Sequence, residues 1–114
     1  MSYIQSTSVK NVYSSGQFIG TDILKGKINQ LKIYYIRNHV TAMGKYYTDT
    51  LNIHNISFNI SMDDIDAFVV ANDSETTYAA LSYMEKLEQI ALDILITEMA
   101  TYFADVEVAD LEKV

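Results

Sequence analysis

The chain has 114 residues and a formal net charge of −7, with 15 acidic and 8 basic residues. This length fits a single domain over residues 1–114, which buries about two-thirds of its unfolded surface without needing disulfides. The absence of Cys excludes disulfides, thiolate catalysis and cysteine-based metal sites. The net acidity argues against nucleic acid as a partner, because phosphate neutralisation needs a clearly basic surface.

Membrane-spanning and secreted proteins are also disfavoured. No apolar run approaches the roughly 18 residues that indicate a membrane helix. The first ten residues, MSYIQSTSVK, lack the charged-then-apolar order of a signal peptide. We therefore expect a soluble protein with no membrane partner, intracellular or virion-associated by default.

Charge is divided unevenly along the chain. Residues 1–60 carry six basic and two acidic residues, a net charge of +4, whereas residues 61–114 carry two basic and thirteen acidic residues, a net charge of −11. Such an asymmetry bears on association and not on fold. It predicts contact between a basic and an acidic surface, either within one molecule or between molecules.

The N-terminal part predicts extended structure and a turn. Residues 2–13 are rich in Ser, Thr, Val and Tyr, which favours a strand or an extended arm. Ser14, Ser15 and Gly16 then form a turn signal, and residues 17–19 are expected to return as a short partner strand.

The segment 27–43 fits two structures. Apolar residues recur there with helical spacing, and Gly44 suits the position just after a helix. The density of Ile and Tyr over residues 31–36 favours a strand instead. Our prediction is a helix over about 27–43, with a strand as the open alternative. The residues with helical spacing are Leu24, Ile28, Leu31, Tyr35, Ile36, His39 and Met43.

Residues 51–62 are the best strand in the sequence. From Ile56 to Met62, apolar residues alternate strictly with Ser and Asn, as in a half-buried strand. The alternation changes phase at His54–Asn55, which predicts a bulge or a turn there. Ser61, followed by Asp64 three residues later, predicts the start of a short helix.

The stretch 74–103 contains no Gly or Pro and predicts a long helix, capped by Asp73 or Ser74. Thirty residues would form a rod of about 45 Å. A compact domain of this length is only about 34 Å across. The mismatch predicts a homo-oligomer, in which another chain covers an apolar interface formed by Leu92, Ile96, Met99 and Phe103.

One carboxylate interrupts the apolar face of this predicted helix. Glu98 lies among Ile94, Leu95 and Tyr102 at helical spacing. A buried carboxylate is costly without a partner, so its role is either a general acid or ligand group, or one side of a pair with Lys, Arg or Tyr. We favour the structural pair, because no His or second carboxylate is placed beside it.

Two other groups of residues are candidates for chemistry. Asp63, Asp64 and Asp66 form the densest cluster of oxygen ligands, but the central Gly and terminal Glu of a calcium loop are missing. We favour acids near a helix N-terminus, where the macrodipole stabilises them. His39 is expected to be a core or interface residue and His54 a surface or turn residue, because no spacing rule pairs them.

These observations predict an α+β fold: a small antiparallel β-sheet packed with helices, and a long C-terminal helix over about 74–103. We identify no catalytic residue, no cofactor site and no metal site, and we expect no enzymatic activity. The expected function is that of a small self-assembling structural or adaptor protein, such as a component of a viral particle or similar assembly. The alternatives are an acidic inhibitor that occupies a basic site on an enzyme, and a small-molecule binding protein or hydrolase.

Overall fold

The computed structural model describes residues 2–114 and has an α+β fold, as predicted. A five-stranded antiparallel sheet has the strand order β6-β5-β4-β1-β7, while β2 and β3 form a separate two-stranded ribbon. The strands are β1 (Ile4–Ser6), β2 (Lys10–Ser14), β3 (Gln17–Asp22), β4 (Lys25–Tyr34), β5 (His39–Tyr47), β6 (Asn52–Ser61) and β7 (Leu111–Lys113). The helices are α1 (Met62–Asn72), α2 (Thr76–Ala79) and α3 (Tyr83–Tyr102).

The segment 27–43 forms a β-hairpin, so the predicted helix is wrong and the strand alternative is correct. β4 and β5 pair in antiparallel register from Lys25 opposite Tyr47 to Tyr34 opposite His39. Gly44 does not end a helix but lies within β5, opposite a bulge in β4. A Cβ at Gly44 would collide with the backbone carbonyl oxygen of Lys27. Glycine is therefore required by the close approach of two strands.

The long C-terminal helix is shorter than predicted. The helix predicted over 74–103 is interrupted within 73–82, and α3 begins at Tyr83 instead of residue 74. Ser82 Oγ accepts a hydrogen bond from the backbone N–H of Glu85 at 3.2 Å. The Glu85 carboxylate accepts one from the backbone N–H of Ser82 at 3.3 Å. This capping box satisfies two backbone donors, and so starts a helix without Pro or Gly.

The 20 residues of α3 form a rod of about 30 Å. That length fits within the longest extent of the molecule, 42 Å. The overhang that motivated the predicted oligomer is therefore absent.

The core lies between α3 and one face of the sheet. β5 buries alternate residues, beginning with Val40 and Ala42, and β4 approaches α3 closely at Gly26. A Cβ at Gly26 would lie 2.6 Å from Met99 Sδ, so the missing side chain lets helix and sheet pack together. The helices cover only this face of the sheet. The buried residues of α3 are Leu87, Ile90, Ala91, Leu92, Leu95 and Met99.

Several local predictions are confirmed. The β2–β3 hairpin turns at Ser15 and Gly16, which have φ values of 52° and 78°. The predicted strand over 51–62 is β6, and its irregularity lies opposite the register shift between Tyr46 and Tyr47. Ser61 caps α1 by accepting a hydrogen bond from the Asp64 N–H at 3.1 Å. At the C-terminus β7 pairs with β1 at the edge of the sheet.

Candidate interaction surfaces

Glu98 does not occupy the buried position that the helical pattern predicted. Its side chain is exposed, on the flank of α3 that faces α1. The sheet covers the part of α3 around Leu95 and Met99, so the apolar sector in the sequence is wider than the surface actually buried. Glu98 does act on a neighbour, because its charge contributes to raising the pKa of Tyr46.

The acidic cluster begins a helix. Asp63 and Asp64 lie in the first turn of α1 and Asp66 follows, all three with exposed side chains. This is the arrangement that the macrodipole favours, and it agrees with the structural interpretation of the sequence. Within residues 2–114, no group of three or more His, Asp or Glu side chains is placed to hold a metal ion.

The two histidines lie far apart. His39 pairs with Ser61 across β5 and β6, whereas His54 pairs with Tyr46 near the other end of the same two strands. His54 is exposed and stacks on Tyr102, with ring centroids 4.9 Å apart and planes inclined by 14°. The two imidazoles therefore cannot share a catalytic or metal site within one chain.

The predicted apolar interface belongs mainly to the protein's own core. Leu92 and Met99 have 0% of their surface exposed, so neither offers surface to a second chain. Ile96 and Phe103 are partly buried against the same core, and the Phe103 ring lies 5.4 Å from the Tyr46 ring. Homo-oligomerisation stays a prediction, for which Ile96 and Phe103 keep some exposed surface and other surfaces of the protein are also available.

The first such surface is the outer edge of β6. Among residues 2–114, only β5 pairs with β6, so its other side presents unpaired backbone donors and acceptors. The sequence of β6, NIHNISFNIS, contains no charged residue and no Pro. Edge strands are usually protected by such residues, by shortness or by bulges. Of these protective features, the ten-residue β6 has only an irregularity near its start.

The second surface is the side of the sheet turned away from α3, which we call the open face. The registers place Lys25, Lys27 and Lys32 of β4 and Lys45 of β5 on this face. Lys27 and Lys45 are directly opposite each other, an arrangement of like charges that destabilises a strand pair. Both ammonium groups lie over the Tyr47 ring, 5.4 and 5.1 Å from its centroid.

Most lysines of the protein are already paired with carboxylates. The ion pairs among residues 2–114 are Lys10–Asp110, Lys25–Asp49, Lys86–Asp73 and Lys113–Asp93. In the described part of the chain, Lys27, Lys32 and Lys45 form no ion pair. The sequence could not show this arrangement, because Lys27 and Lys45 lie opposite each other, with Lys32 on the same face, only when 27–43 folds as a hairpin.

The third surface is an acidic groove between α1, α3 and the end of β6. Its volume is about 430 Å³. The apolar residues in its lining are Ile60, Phe68, Ile90 and Ile94, and its carboxylates belong to Asp64, Asp93 and Glu98. Since Ile60 lies on the helix side of the sheet, the acidic groove and the open face are on opposite sides of the molecule. The fold thus converts the uneven charge of the sequence into two oppositely charged surfaces.

A small polar cavity of about 300 Å³ lies beside α2. Tyr78 lines it and is 8% exposed, and its hydroxyl has no hydrogen-bond partner among residues 2–114. Burial and the nearby charges of Asp73 and Asp93 raise the pKa of Tyr78. Lys113 and Gln89 also line the cavity and are hydrogen-bonded to each other at 3.1 Å. Sequence reasoning missed this site, because Tyr78 was placed inside a continuous helix.

Comparison with known proteins adds no relative. No protein-family model, no curated protein and no solved structure matches the chain. No helix of residues 2–114 is both long and apolar enough to cross a membrane. Function therefore has to be inferred from the surfaces described above.

Proposed function

We propose that the protein is a small self-assembling structural or adaptor protein, such as a component of a viral particle or similar assembly. It acts through protein–protein contacts and not through catalysis. The observation that supports this proposal is the long, uncharged outer edge of β6. An edge of this kind is a template for pairing with another strand.

Antiparallel pairing of two β6 strands satisfies both edges at once. A two-fold axis at Ser57 places Ile56 of one copy opposite Phe58 of the partner subunit, both on the helix side of the extended sheet. These two side chains are only partly buried in the monomer. Pairing therefore buries apolar surface in addition to forming backbone hydrogen bonds, and the contact is isologous.

The test is a charged substitution at this edge. Ile56→Lys would bring an ammonium group into the apolar side of the paired sheet, which is a natural device against edge pairing. In the monomer the long Lys side chain extends from the open edge to solvent. We expect light scattering coupled to size exclusion to show a dimer or larger species for the wild type. The Ile56→Lys variant should be monomeric at the same concentration.

Ile33→Lys is the matched control. Ile33 lies on the same side of the sheet and is also partly buried, but it belongs to β4, where it pairs with Val40 of β5, and so it lies away from the β6 edge. Both variants are first compared by thermal unfolding, so that loss of fold is not read as loss of assembly. Amide hydrogen exchange supplies an independent readout, since the outward amides of β6 should become protected as protein concentration rises. A wild-type monomer, or equal dissociation by both substitutions, would refute edge pairing.

The cavity at Tyr78 supports a second candidate function, binding of a small polar molecule. The Tyr78 hydroxyl is shielded and has no partner among residues 2–114, a cost of roughly 1–3 kcal/mol that a ligand acceptor recovers when the side chains covering the hydroxyl move aside. Tyr78→Phe should therefore stabilise the ligand-free protein. It should also abolish any thermal shift that a panel of small polar compounds produces in the wild type. A hit whose shift survives in Tyr78→Phe binds elsewhere and contradicts this assignment.

A further inference from the structure

We propose that the open face of one copy docks on the acidic groove of a second copy, forming a head-to-tail contact distinct from the β6 edge. The proposal shares the premise of self-association with the proposed function, but the charged residues that carry it lie outside β6. Its starting point is that, among residues 2–114, Lys27, Lys32 and Lys45 form no ion pair although the chain has 15 acidic residues.

The three lysines are held in a configuration that favours an external anion. Lys27 and Lys45 repel each other across the β4–β5 pair, and no carboxylate of the chain separates them. Lys32 lies on the same side of β4, opposite Thr41. A carboxylate placed between the Lys27 and Lys45 ammonium groups would remove their like-charge repulsion, so anion binding and sheet stability are coupled.

The acidic groove offers the complementary chemistry. It presents three carboxylates above an apolar floor, and those of Asp64 and Glu98 form no ion pair within the described residues. Asp93 is held by Lys113 at 2.6 Å, which leaves the other two to meet a partner. The open face has Met43 and Tyr47 among its lysines, so it can contribute apolar contact as well as charge.

The open face has the extent of a small interface. β4, β5 and β6 have nine or ten residues each, about 30–33 Å, and three strands at roughly 4.8 Å spacing span about 14 Å. This flat area, roughly 460 Å², is about half of the 800 Å² per partner that a standard protein interface buries, as in a weak contact. Since the two surfaces lie on opposite sides of the molecule, each copy can contact one neighbour on each side. The contact is heterologous and continues as a stack unless its rotation closes a ring.

A protein carboxylate surface suits the open face better than a nucleic acid does. Three free lysines would release only about two counterions from a single strand, which supports weak binding at physiological salt. The net charge of −7 further opposes a polyanion. A second copy also carries a net negative charge, so the two copies repel each other at long range. When the Debye length is near 10 Å this repulsion is screened, and the attraction between the groove carboxylates and the lysines at short range dominates.

The test uses charge reversal on each surface separately. Variant one carries Lys27→Glu, Lys32→Glu and Lys45→Glu, and variant two carries Asp64→Lys and Glu98→Lys. Both are made in the Ile56→Lys background, so that edge pairing cannot contribute. We expect the Ile56→Lys protein to stack in sedimentation velocity at about 0.1 M salt, where the Debye length is about 10 Å, and each charge-reversed variant to associate at least tenfold more weakly. Mixing the two variants should restore association, because each then meets a complementary surface.

The charge control is placed on the β2–β3 ribbon. The Gln variant replaces Lys27, Lys32 and Lys45 with Gln. The ribbon variant carries Asn11→Glu, Gln17→Glu and Thr21→Glu, at three exposed positions away from both surfaces, and changes the net charge by the same amount. The Gln variant should lose stacking and the ribbon variant should retain it. Circular dichroism and thermal unfolding establish that every variant is folded.

Several outcomes would overturn the proposal. It fails if the Ile56→Lys protein stays monomeric at about 0.1 M salt, if the ribbon variant loses as much association as the Gln variant, or if mixing restores nothing. It also fails if an oligothymidylate binds the open face in a lysine-dependent manner while stacking is unaffected, since the face would then serve a nucleic acid. Edge pairing that persists while stacking is absent refutes only this contact and leaves the proposed function standing.

Discussion

The start of α3 at Ser82 can be tested by a single substitution, Ser82→Ala. The change removes the side-chain acceptor of the Glu85 N–H, which receives its hydrogen bond at 3.2 Å, and breaks the reciprocal capping box. Loss of an N-cap of this kind costs roughly 1 kcal/mol, within a range of about 0.5–2 kcal/mol. For a domain of this size, that corresponds to a decrease in Tm of about 4 °C.

Ser74→Ala is the matched control, because residue 74 is where the sequence pattern starts the helix. Ser74 is exposed and its side chain forms no cap, so we expect a change within about 0.5 kcal/mol. The measurement is equilibrium unfolding in urea, supported by thermal unfolding. A double-mutant cycle with Glu85→Ala should show coupling, since the two side chains satisfy each other's backbone N–H. If Ser74→Ala were the more damaging change, the helix would begin at residue 74 and the break described here would be wrong.

Three further predictions concern stability and pH. Burial, with Glu98 and Tyr102 nearby, raises the pKa of Tyr46 to about 12. The neutral form of Tyr46 therefore adds to the free energy of unfolding. This contribution is fully present below pH 10 and is lost as the pH rises through about 12. Tyr46→Phe should remove one ionisation near pH 12 from the ultraviolet titration and move alkaline unfolding to higher pH. The Glu107 N–H and Lys10 lower the pKa of the Asp110 carboxyl below its ordinary value of 3.8. The ionised carboxylate therefore adds to the free energy of unfolding above pH 3.8, and this contribution is lost as the pH falls through the lower folded pKa. Asp110→Asn should thus be less stable than wild type at neutral pH and equally stable once the carboxyl is protonated, as measured by urea unfolding at several pH values. Leu95→Ala should cost about 2–5 kcal/mol in the same assay, because the side chain is fully buried; a loss within 0.5 kcal/mol would mean that α3 does not pack on the sheet.

Features that depend on neighbouring residues could be predicted from the sequence. The turn at Ser15–Gly16, the alternating strand β6 and the cap of α1 at Ser61 all follow from short patterns, and all are present. The capping box at Ser82 is a pattern of the same kind. It was outweighed by the helix-forming composition of 74–103, although Ser followed three residues later by Glu is itself a start signal.

The structure of 27–43 depended on residues far away in the chain. Its apolar residues fit a helical period, but β4 gains its partners from β1 and β5, and Gly44 is needed where β5 meets a bulge in β4. Pairing between distant strands determines which side chains share a face, and a single sequence does not contain that register. The same reason explains Glu98, which is exposed because the sheet covers only part of α3.

The sequence by itself determined the α+β composition, the uneven charge and the local starts of two helices. Only the tertiary structure decided which surfaces remain for partners. It buried Leu92 and Met99 in the core, left the edge of β6 unpaired and gathered three lysines on the open face. Burial and charge neighbourhood are properties of the assembled sheet and helices, because each depends on side chains that long-range pairing brings together. The charges were visible in the sequence, but their separation onto opposite sides of the molecule was created by the fold.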